Sequence, residues 1–165
     1  MAIKDAFIAE LKHEATLTKK MLEKVPLEKA DWKPHEKSMT LGRLATHVAE
    51  NFKWIEDIKN IDDYDFATKT FKAYTASSQE ELISIFQNNL DSAINELTSM
   101  TDEDFNKIWI VRVGDKVMYN TPKKVAIRGW AFSHHIHHRG QLSVYLRLLD
   151  VPVPGMYGPS ADERI

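Results

Sequence analysis

The sequence predicts an all-α protein: a four-helix bundle with a small β-hairpin or loop before the last helix and an extended C-terminal strap. Neither glycine nor proline occurs between Arg43 and Val113, and long stretches without these residues favour helices. Apolar residues recur at three- and four-residue steps in four segments, which is the spacing of an amphipathic helix. Residues 151–165 are rich in proline and glycine instead, so they cannot continue a helix.

The first two helices are predicted from apolar stripes that end at recognisable stop signals. The first covers residues 2–24, because its stripe is stopped by Pro26. After a connecting loop, Ser38 or Thr40 can cap the second helix, which is predicted over 40–59.

The third helix follows a stretch without a clear period. Residues 60–76 mix acidic and aromatic side chains and are predicted to form an irregular crossover. Ser77 or Ser78 then opens a helix that runs to about Met100, with acidic residues in the first turn, where they favour the helix dipole.

The last helix is preceded by a segment of β character. Residues 107–120 contain two β-rich runs around Gly114, which predicts a small hairpin, with a plain loop as the alternative. Thr121 and Pro122 then give a strong helix start, and the apolar pattern continues to about Leu149.

Two glycines interrupt the fourth helix, and a strap follows it. Gly129 and Gly140 each cost about 1 kcal/mol relative to alanine in a helix interior. We therefore expect close helix approach or a nearby ligand at these positions. The strap over 151–165 is expected to fold back on the helices.

Composition excludes several classes of protein. A chain of 165 residues with 43% apolar and 28% charged residues predicts one globular domain over 1–165. The absence of cysteine excludes a disulfide scaffold, a thiolate metal site and a thiol nucleophile. A net charge of −2 argues against nucleic-acid binding, and no apolar run has the length of a membrane span. We therefore expect a cytoplasmic protein without nucleic-acid or membrane partners.

Histidines supply the clearest chemical signal. Four of the seven lie in the predicted fourth helix, at positions 134, 135, 137 and 138. His134 and His138 are one turn apart on one helix face, so both imidazoles can reach one metal ion. His135 points elsewhere and is expected to be partly packed, whereas His137 is expected at an edge.

A third ligand is needed, and His47 is the best candidate. It lies at the margin of the second helix's apolar stripe, one turn past Leu44 and one turn before Asn51. Three neutral imidazoles would leave an open position on the metal, as in catalytic zinc sites, although imidazole also suits nickel, iron and copper. Because a ligating imidazole must be neutral, metal release is expected near pH 6. The alternative is that the histidine side chains contribute only to packing and bind no metal.

Other metal motifs do not fit this sequence. No glutamate follows His134, so the segment lacks the general base of the HExxH proteases. Glu10 and His13 match the ExxH pattern of di-iron bundles, but such bundles need two copies and two further glutamates. This single copy is interpreted as a solvated helix face.

Three segments of the sequence resemble those of a known protein family, and the resemblance extends over essentially the whole chain. The second helix contains LGRLATH (41–47), the fourth contains HHIHHRGQL (134–142), and the strap reads VPVPGMYGPS (151–160). These segments resemble the DinB-like (DinB/YfiT) superfamily. The resemblance implies a four-helix bundle whose His47, His134 and His138 hold a divalent metal. Zinc or nickel is expected first, with iron or manganese as alternatives.

The resemblance also implies a class of chemistry. Characterised relatives include thiol-dependent S-transferases, such as bacillithiol transferases, and the mycothiol-dependent maleylpyruvate isomerase, and dimers are common. We therefore expect a homodimeric, metal-dependent thiol S-transferase or hydrolase that acts on a small molecule, with a low-molecular-weight thiol as a further cofactor. The alternative is a non-catalytic metal- or small-molecule-binding stress-response protein, and the two differ in what fills the fourth position on the metal.

Two residues beside the ligands are candidate catalytic residues. Gln141 lies one turn beyond His138 and can hydrogen-bond a metal-bound group or orient a ligand imidazole. Arg139 should leave the metal face and is expected to pair with Asp162 or Glu163 of the strap. For both residues the alternative role is a clamp between the helix and the strap.

Overall fold

The computed structural model describes residues 2–70 and 72–163 and is mainly helical. The helices are α1 (Ile3–Leu22), α2 (Leu41–Glu50), α3 (Lys53–Asn60), α4 (Gln79–Ser99), α5 (Asp102–Asn106), α6 (Lys123–Ala126) and α7 (His134–Leu148). A π-helical segment, Ile127–Ser133, joins α6 to α7. The predicted helical character is thus confirmed, whereas the four-helix arrangement itself stays a prediction. Phe71 of the predicted crossover lies outside the described residues, as do Arg164 and Ile165 of the predicted strap.

A small three-stranded sheet accompanies the helices. Its strands are β1 (Asp63–Asp65), β2 (Ile108–Val113) and β3 (Lys116–Pro122), in the order β1-β2-β3. The antiparallel β2–β3 pair confirms the predicted hairpin, and Gly114 has a positive φ of 58° in its turn.

The crossover from the second to the third predicted helix is more ordered than expected. Its strand β1 pairs in parallel with β2, so the prediction of a wholly irregular crossover over 60–76 was wrong. Arg112 of β2 explains the pairing, because its guanidinium binds Asp63 at 2.8 Å and Asp65 at 2.7 Å. Asp65 also accepts from the backbone N–H of Gly114 at 3.0 Å. Those contacts join residues far apart in sequence, which an apolar period cannot reveal.

The predicted second helix is divided into α2 and α3. The backbone N–H of Trp54 donates to Asn51 and that of Ile55 donates to Phe52, and these three-residue steps tighten the turn. The single helix predicted over 40–59 was therefore wrong, because apolar spacing does not register a local change of hydrogen bonding. The tightened turn places the Phe52 ring against His135, with ring centroids 4.3 Å apart.

Helix caps set the start of the two helices that pack beside the histidines. The Thr40 hydroxyl accepts from the backbone N–H of Arg43 at the start of α2. Ser78 does the same for Glu81 at the start of α4. Both caps were among the predicted alternatives and are confirmed.

The buried core lies between α1, α2, α4 and α7. Helix α4 packs on α1, α2 and α3, and α7 packs on α1 and α2. Phe7 of α1 stacks between Phe105 and Phe132, with ring centroids 5.6 and 5.7 Å away. Burial of these rings fixes α1 against the π-helical segment from which α7 continues. None of the helices in the described residues is long and apolar enough to cross a membrane.

Glycines at Gly42, Gly129 and Gly140 have different surroundings. A Cβ at Gly42 would lie 2.8 Å from Thr75 Cγ2 and 2.9 Å from Ala30 Cβ. At Gly129 and Gly140 a Cβ would meet no described atom within 4 Å, so the close helix approach expected at these two positions was wrong.

We predict that Gly42→Ala lowers the free energy of unfolding by about 1–3 kcal/mol, because the added methyl overpacks the contact with Thr75 and Ala30. The control is Gly140→Ala, which should raise it by up to about 1 kcal/mol, since alanine is the better helix former. Urea unfolding of the metal-free variants measures both values. Equal stability of Gly42→Ala and the parent protein would contradict the prediction.

Candidate metal centre

The structure brings together the three histidines that the sequence singled out. His47 lies in the last turn of α2, and His134 and His138 lie in the first turns of α7, which packs on α2. Ligand nitrogens of the three rings lie within 4.8 Å of one another. The His47 ring centroid is 4.4 Å from that of His138 and 5.2 Å from that of His134. One cation can therefore reach a nitrogen of each ring.

Hydrogen bonds on the far side of two rings fix which nitrogen is free. Nδ1 of His138 lies 2.8 Å from Oε1 of Gln141, which only accepts, so Nδ1 carries the proton. The His134 ring hydrogen-bonds the backbone of Trp130, and because its Nε2 faces His138, Nδ1 is the donor. Both rings thus direct an unprotonated Nε2 into the site. Gln141 therefore has the ligand-orienting contact that was one of its two predicted roles.

These two free nitrogens lie only 2.7 Å apart. Two unprotonated nitrogens at this distance repel each other unless a positive charge lies between them. A divalent cation relieves the repulsion, and the donor set of three neutral imidazoles fits zinc, nickel, iron or copper. The chemistry of the donors therefore fits a metal ion.

The π-helical segment contributes to this geometry. Its wider turn directs the backbone N–H of His134 to the carbonyl of Gly129, five residues back. In an α-helix that N–H would bond to Trp130 instead. The shift leaves the Trp130 carbonyl for the imidazole of His134. Apart from Gly129 itself, no feature of the sequence indicates this segment.

Burial keeps the three rings neutral. Burial, together with positive charge at His138, His134 and Arg43, lowers the pKa of His47 to about 3. Burial also lowers the pKa of His134 and His138, although the Trp130 carbonyl and Gln141 partly oppose the effect. Neutral imidazole is the form that binds metal, so the site is in its ligating state at pH 7.

The opposite face of α7 carries a buried polar network. His135 is fully buried, more than predicted, and its Nε2 lies 2.6 Å from Thr18 Oγ1. The Thr18 hydroxyl donates to the Glu14 carbonyl at 2.8 Å, so His135 Nε2 is the donor to Thr18. His137 is exposed, as predicted. Neither histidine belongs to the group of three, although the His137 ring contacts that of His138, with ring centroids 4.9 Å apart.

Arg139 belongs to the same network. Its guanidinium binds Glu14 Oε2 at 2.5 Å and Thr18 Oγ1 at 2.9 Å, and both residues of this ion pair are buried. The hydroxyl of Tyr157 accepts from Arg139 at 2.5 Å and donates to Glu14 at 2.8 Å. Because Tyr157 lies in the strap, these contacts support the role of a clamp between helix and strap.

The acidic partner predicted for Arg139 was wrong. Asp162 binds Arg147 at 2.6 Å, and Glu163 accepts from the backbone N–H of Gly155 at 2.8 Å. The missed partner, Glu14, had a sequence signal: it occupies the apolar stripe of α1, three residues after Leu11 and four before Thr18. A charged residue on such a stripe is buried only when it is paired.

Two cavities flank the three histidines. The larger has a volume of about 730 Å³, and its wall includes His47, Asn51, Trp54 and Tyr64. The smaller, of about 280 Å³, is lined by Tyr119, Gly129, Trp130 and His134. Trp54 and Trp130 touch, with ring centroids 5.0 Å apart, and separate the two spaces.

Fold and site define a mainly helical protein with a three-histidine candidate metal centre between two helices. The sequence model of the DinB family matches residues 1–164. The chain belongs to the DinB family, as its resemblance implied.

Relatives and solved structures agree with this assignment. The chain is 24% identical to the uncharacterised protein YrdA of Bacillus subtilis (strain 168) over 163 residues, which cover 96% of this chain and 90% of YrdA. A DinB-like protein from Bacillus cereus ATCC 10987 has a similar structure, with a TM-score of 0.72 at 22% identity, covering 93% of this chain and 97% of that one. For the DinB-like protein YjoA of Bacillus subtilis the TM-score is 0.66 at 21% identity, covering 95% and 98%. These similarities show the fold.

We predict that Gln141→Leu weakens metal binding about 10- to 100-fold, because the His138 ring loses the acceptor that fixes its tautomer. Competition with a metal-chelating dye at pH 7 measures the affinity. Val144→Ala, an exposed change on the same helix, is the control and should leave the affinity unchanged. An unchanged affinity in Gln141→Leu would show that the amide does not orient the ring.

Metal binding should also respond weakly to mild acid. A site of three histidines with ordinary pKa values would weaken about 30-fold between pH 7 and pH 6, because each imidazole gains protons in that range. Burial lowers the pKa of all three rings, so proton competition begins only at lower pH. We therefore predict a loss below about threefold, which moves the expected release from near pH 6 to lower pH.

Dye competition at the two pH values, with buffer effects on the dye subtracted, gives this ratio. His13→Ala serves as the control, since its ring is exposed on α1 and does not belong to the group of three histidines. A loss near 30-fold would mean that the ligand imidazoles titrate as free histidines do.

Proposed function

We propose that the protein is a metal-dependent enzyme that binds one divalent cation through His47, His134 and His138. The observation that carries the proposal is the 2.7 Å separation of two Nε2 atoms whose rings donate elsewhere. Zinc and nickel are the first candidates, with iron and manganese as alternatives. When bound, the cation supplies Lewis-acid activation of a thiol or a water.

The proposed reaction is a thiol S-transfer or a hydrolysis on a small molecule. Support comes from the cavity of about 730 Å³ beside His47, a volume typical of small-molecule sites. Three protein ligands leave a further coordination position, as is usual for catalytic rather than structural zinc. A low-molecular-weight thiol is proposed as a second cofactor, because S-transfer needs a thiol and this chain has no cysteine.

The chain's own residues have defined parts in this proposal. Gln141 holds the proton of His138 on Nδ1, and the Trp130 carbonyl does the same for His134. Arg139 acts away from the reacting atoms, because its buried pair with Glu14 anchors α7 to α1. Trp54 and Trp130 form an aromatic wall between the cavities beside His47 and His134.

The wider setting follows the same proposal. We infer a homodimer in the cytoplasm that acts on a small molecule and needs neither nucleic acid nor a membrane. The alternative function is a non-catalytic metal- or small-molecule-binding stress-response protein. The large cavity beside His47 favours an enzyme or a small-molecule-binding protein over a protein that binds only a metal.

The decisive experiment measures metal and activity together. Elemental analysis of protein purified without a histidine tag should give about one divalent ion per chain, and His138→Ala should remove it because one of three ligands is lost. A screen of thiols against electrophiles, and of hydrolysable esters, should show activity that disappears with the metal. His13→Ala, which changes an exposed histidine outside the group of three, should retain both. Full metal content in His138→Ala would overturn the assignment, whereas metal without any turnover would favour the non-catalytic alternative.

A further inference from the structure

We propose that the small cavity beside His134 is a subsite for an apolar group, either an aromatic ring or a short branched chain. This group belongs to a molecule whose donor atom binds the metal. The inference rests on the proposed function, because it needs a cation at the three histidines. The cavity of about 280 Å³ is lined by Tyr119, Gly129, Trp130 and His134. Whole ligands usually need about 300–1,000 Å³, so this space suits one part of a molecule.

The two cavities differ in chemistry. The wall of the large cavity includes five charged residues: Glu50, Lys53, Asp57, Lys72 and Glu81. The small cavity has two aromatic rings, a glycine and a neutral histidine in its wall and, among the described residues, no charged side chain, whereas the surface of both cavities is mainly apolar. His47 faces the first cavity and His134 the second, so a cation between the two rings is open to both. We therefore assign the polar parts of the reacting molecules to the large cavity and the apolar group to the small cavity.

The apolar wall is held rigidly. The Trp130 ring contacts Trp54, Trp109 and Tyr119 edge to face, with centroids 5.0, 5.7 and 5.4 Å away. The rings of Phe66 and His134 are further neighbours, with centroids 6.1 and 6.4 Å away. A ring fixed on several sides keeps its shape when a ligand arrives, so the ordering cost of binding is small.

Gly129 gives a direct way to fill this subsite. A Cβ there would meet no described atom within 4 Å, and the residue lies in a helical backbone that accepts any side chain except proline. Gly129→Leu should therefore occupy the cavity without disturbing the fold. Gly140→Leu is the matched control, because Gly140 is a second helical glycine with open space that does not line the cavity.

The test compares two simple thiols on the cobalt-loaded protein. Benzyl mercaptan and 2-mercaptoethanol have similar acidity but differ in the group that follows the sulfur, and the sulfur-to-cobalt absorption band reports binding of either. We expect the parent protein and Gly140→Leu to bind benzyl mercaptan about tenfold more tightly, because the phenyl ring leaves water. In Gly129→Leu this preference should fall to near one, with cobalt content and 2-mercaptoethanol affinity unchanged.

A second variant distinguishes loss of the subsite from misfolding of Gly129→Leu. Tyr119→Ala removes one wall from a half-exposed position on β3 and should also lower the preference for benzyl mercaptan. Equal affinity of the parent protein for the two thiols, or an undiminished preference in Gly129→Leu, would overturn the subsite while leaving the metal assignment intact. Failure of the parent protein to load cobalt would instead overturn the proposed function and the subsite with it.

Discussion

The candidate centre depends on two hydrogen bonds that lie outside it. Gln141 and the Trp130 carbonyl each hold the Nδ1 proton of one imidazole. If either acceptor were missing, that ring could move its proton to Nε2 and donate to the other ring, and the 2.7 Å contact would become an ordinary hydrogen bond between two neutral histidines. With both acceptors present, neither Nε2 can donate. One amide and one carbonyl therefore decide whether the pair attracts a cation or satisfies itself.

The direction in which the two rings point is set on the opposite face of α7. His135 and Arg139 are four residues apart there, and they meet Glu14 and Thr18, also four residues apart on α1. A slip of one turn would leave the buried Arg139 and Glu14 charges without partners, at a cost of several kcal/mol. The network thus fixes the rotation of α7, which in turn directs His134 and His138 towards α2.

The features that were predicted from the sequence are periodic along a helix or local in the chain. The helix periods, the Gly114 hairpin and the caps at Thr40 and Ser78 are local features, and they were found from local patterns. The convergence of His47 with the other two histidines was also predicted, because a histidine at the margin of an apolar stripe faces the neighbouring helices. These features need no knowledge of tertiary contacts.

The features that were missed depend either on partners distant in the sequence or on small local changes of the backbone. Strand β1 forms because Arg112 binds two aspartates of the crossover. The break after α2 and the π-helical segment before α7 are changes of backbone hydrogen bonding by a single residue, which an apolar period averages over. Arg139 was expected to pair with Asp162 or Glu163 of the strap, whereas its buried partner Glu14 lies on α1.

The tryptophans connect this framework to the chemistry that the centre can support. Trp130 belongs to the π-helical segment, and its backbone carbonyl orients the His134 ring. The Trp130 ring, together with the Trp54 ring, separates the two cavities. One residue thus fixes both a ligand and the wall that a bound molecule meets. Electrostatic attraction to a cation strengthens where water is excluded, because the local dielectric falls. The same aromatic contacts that keep Trp130 in place therefore increase the influence of any charge held between the three histidines.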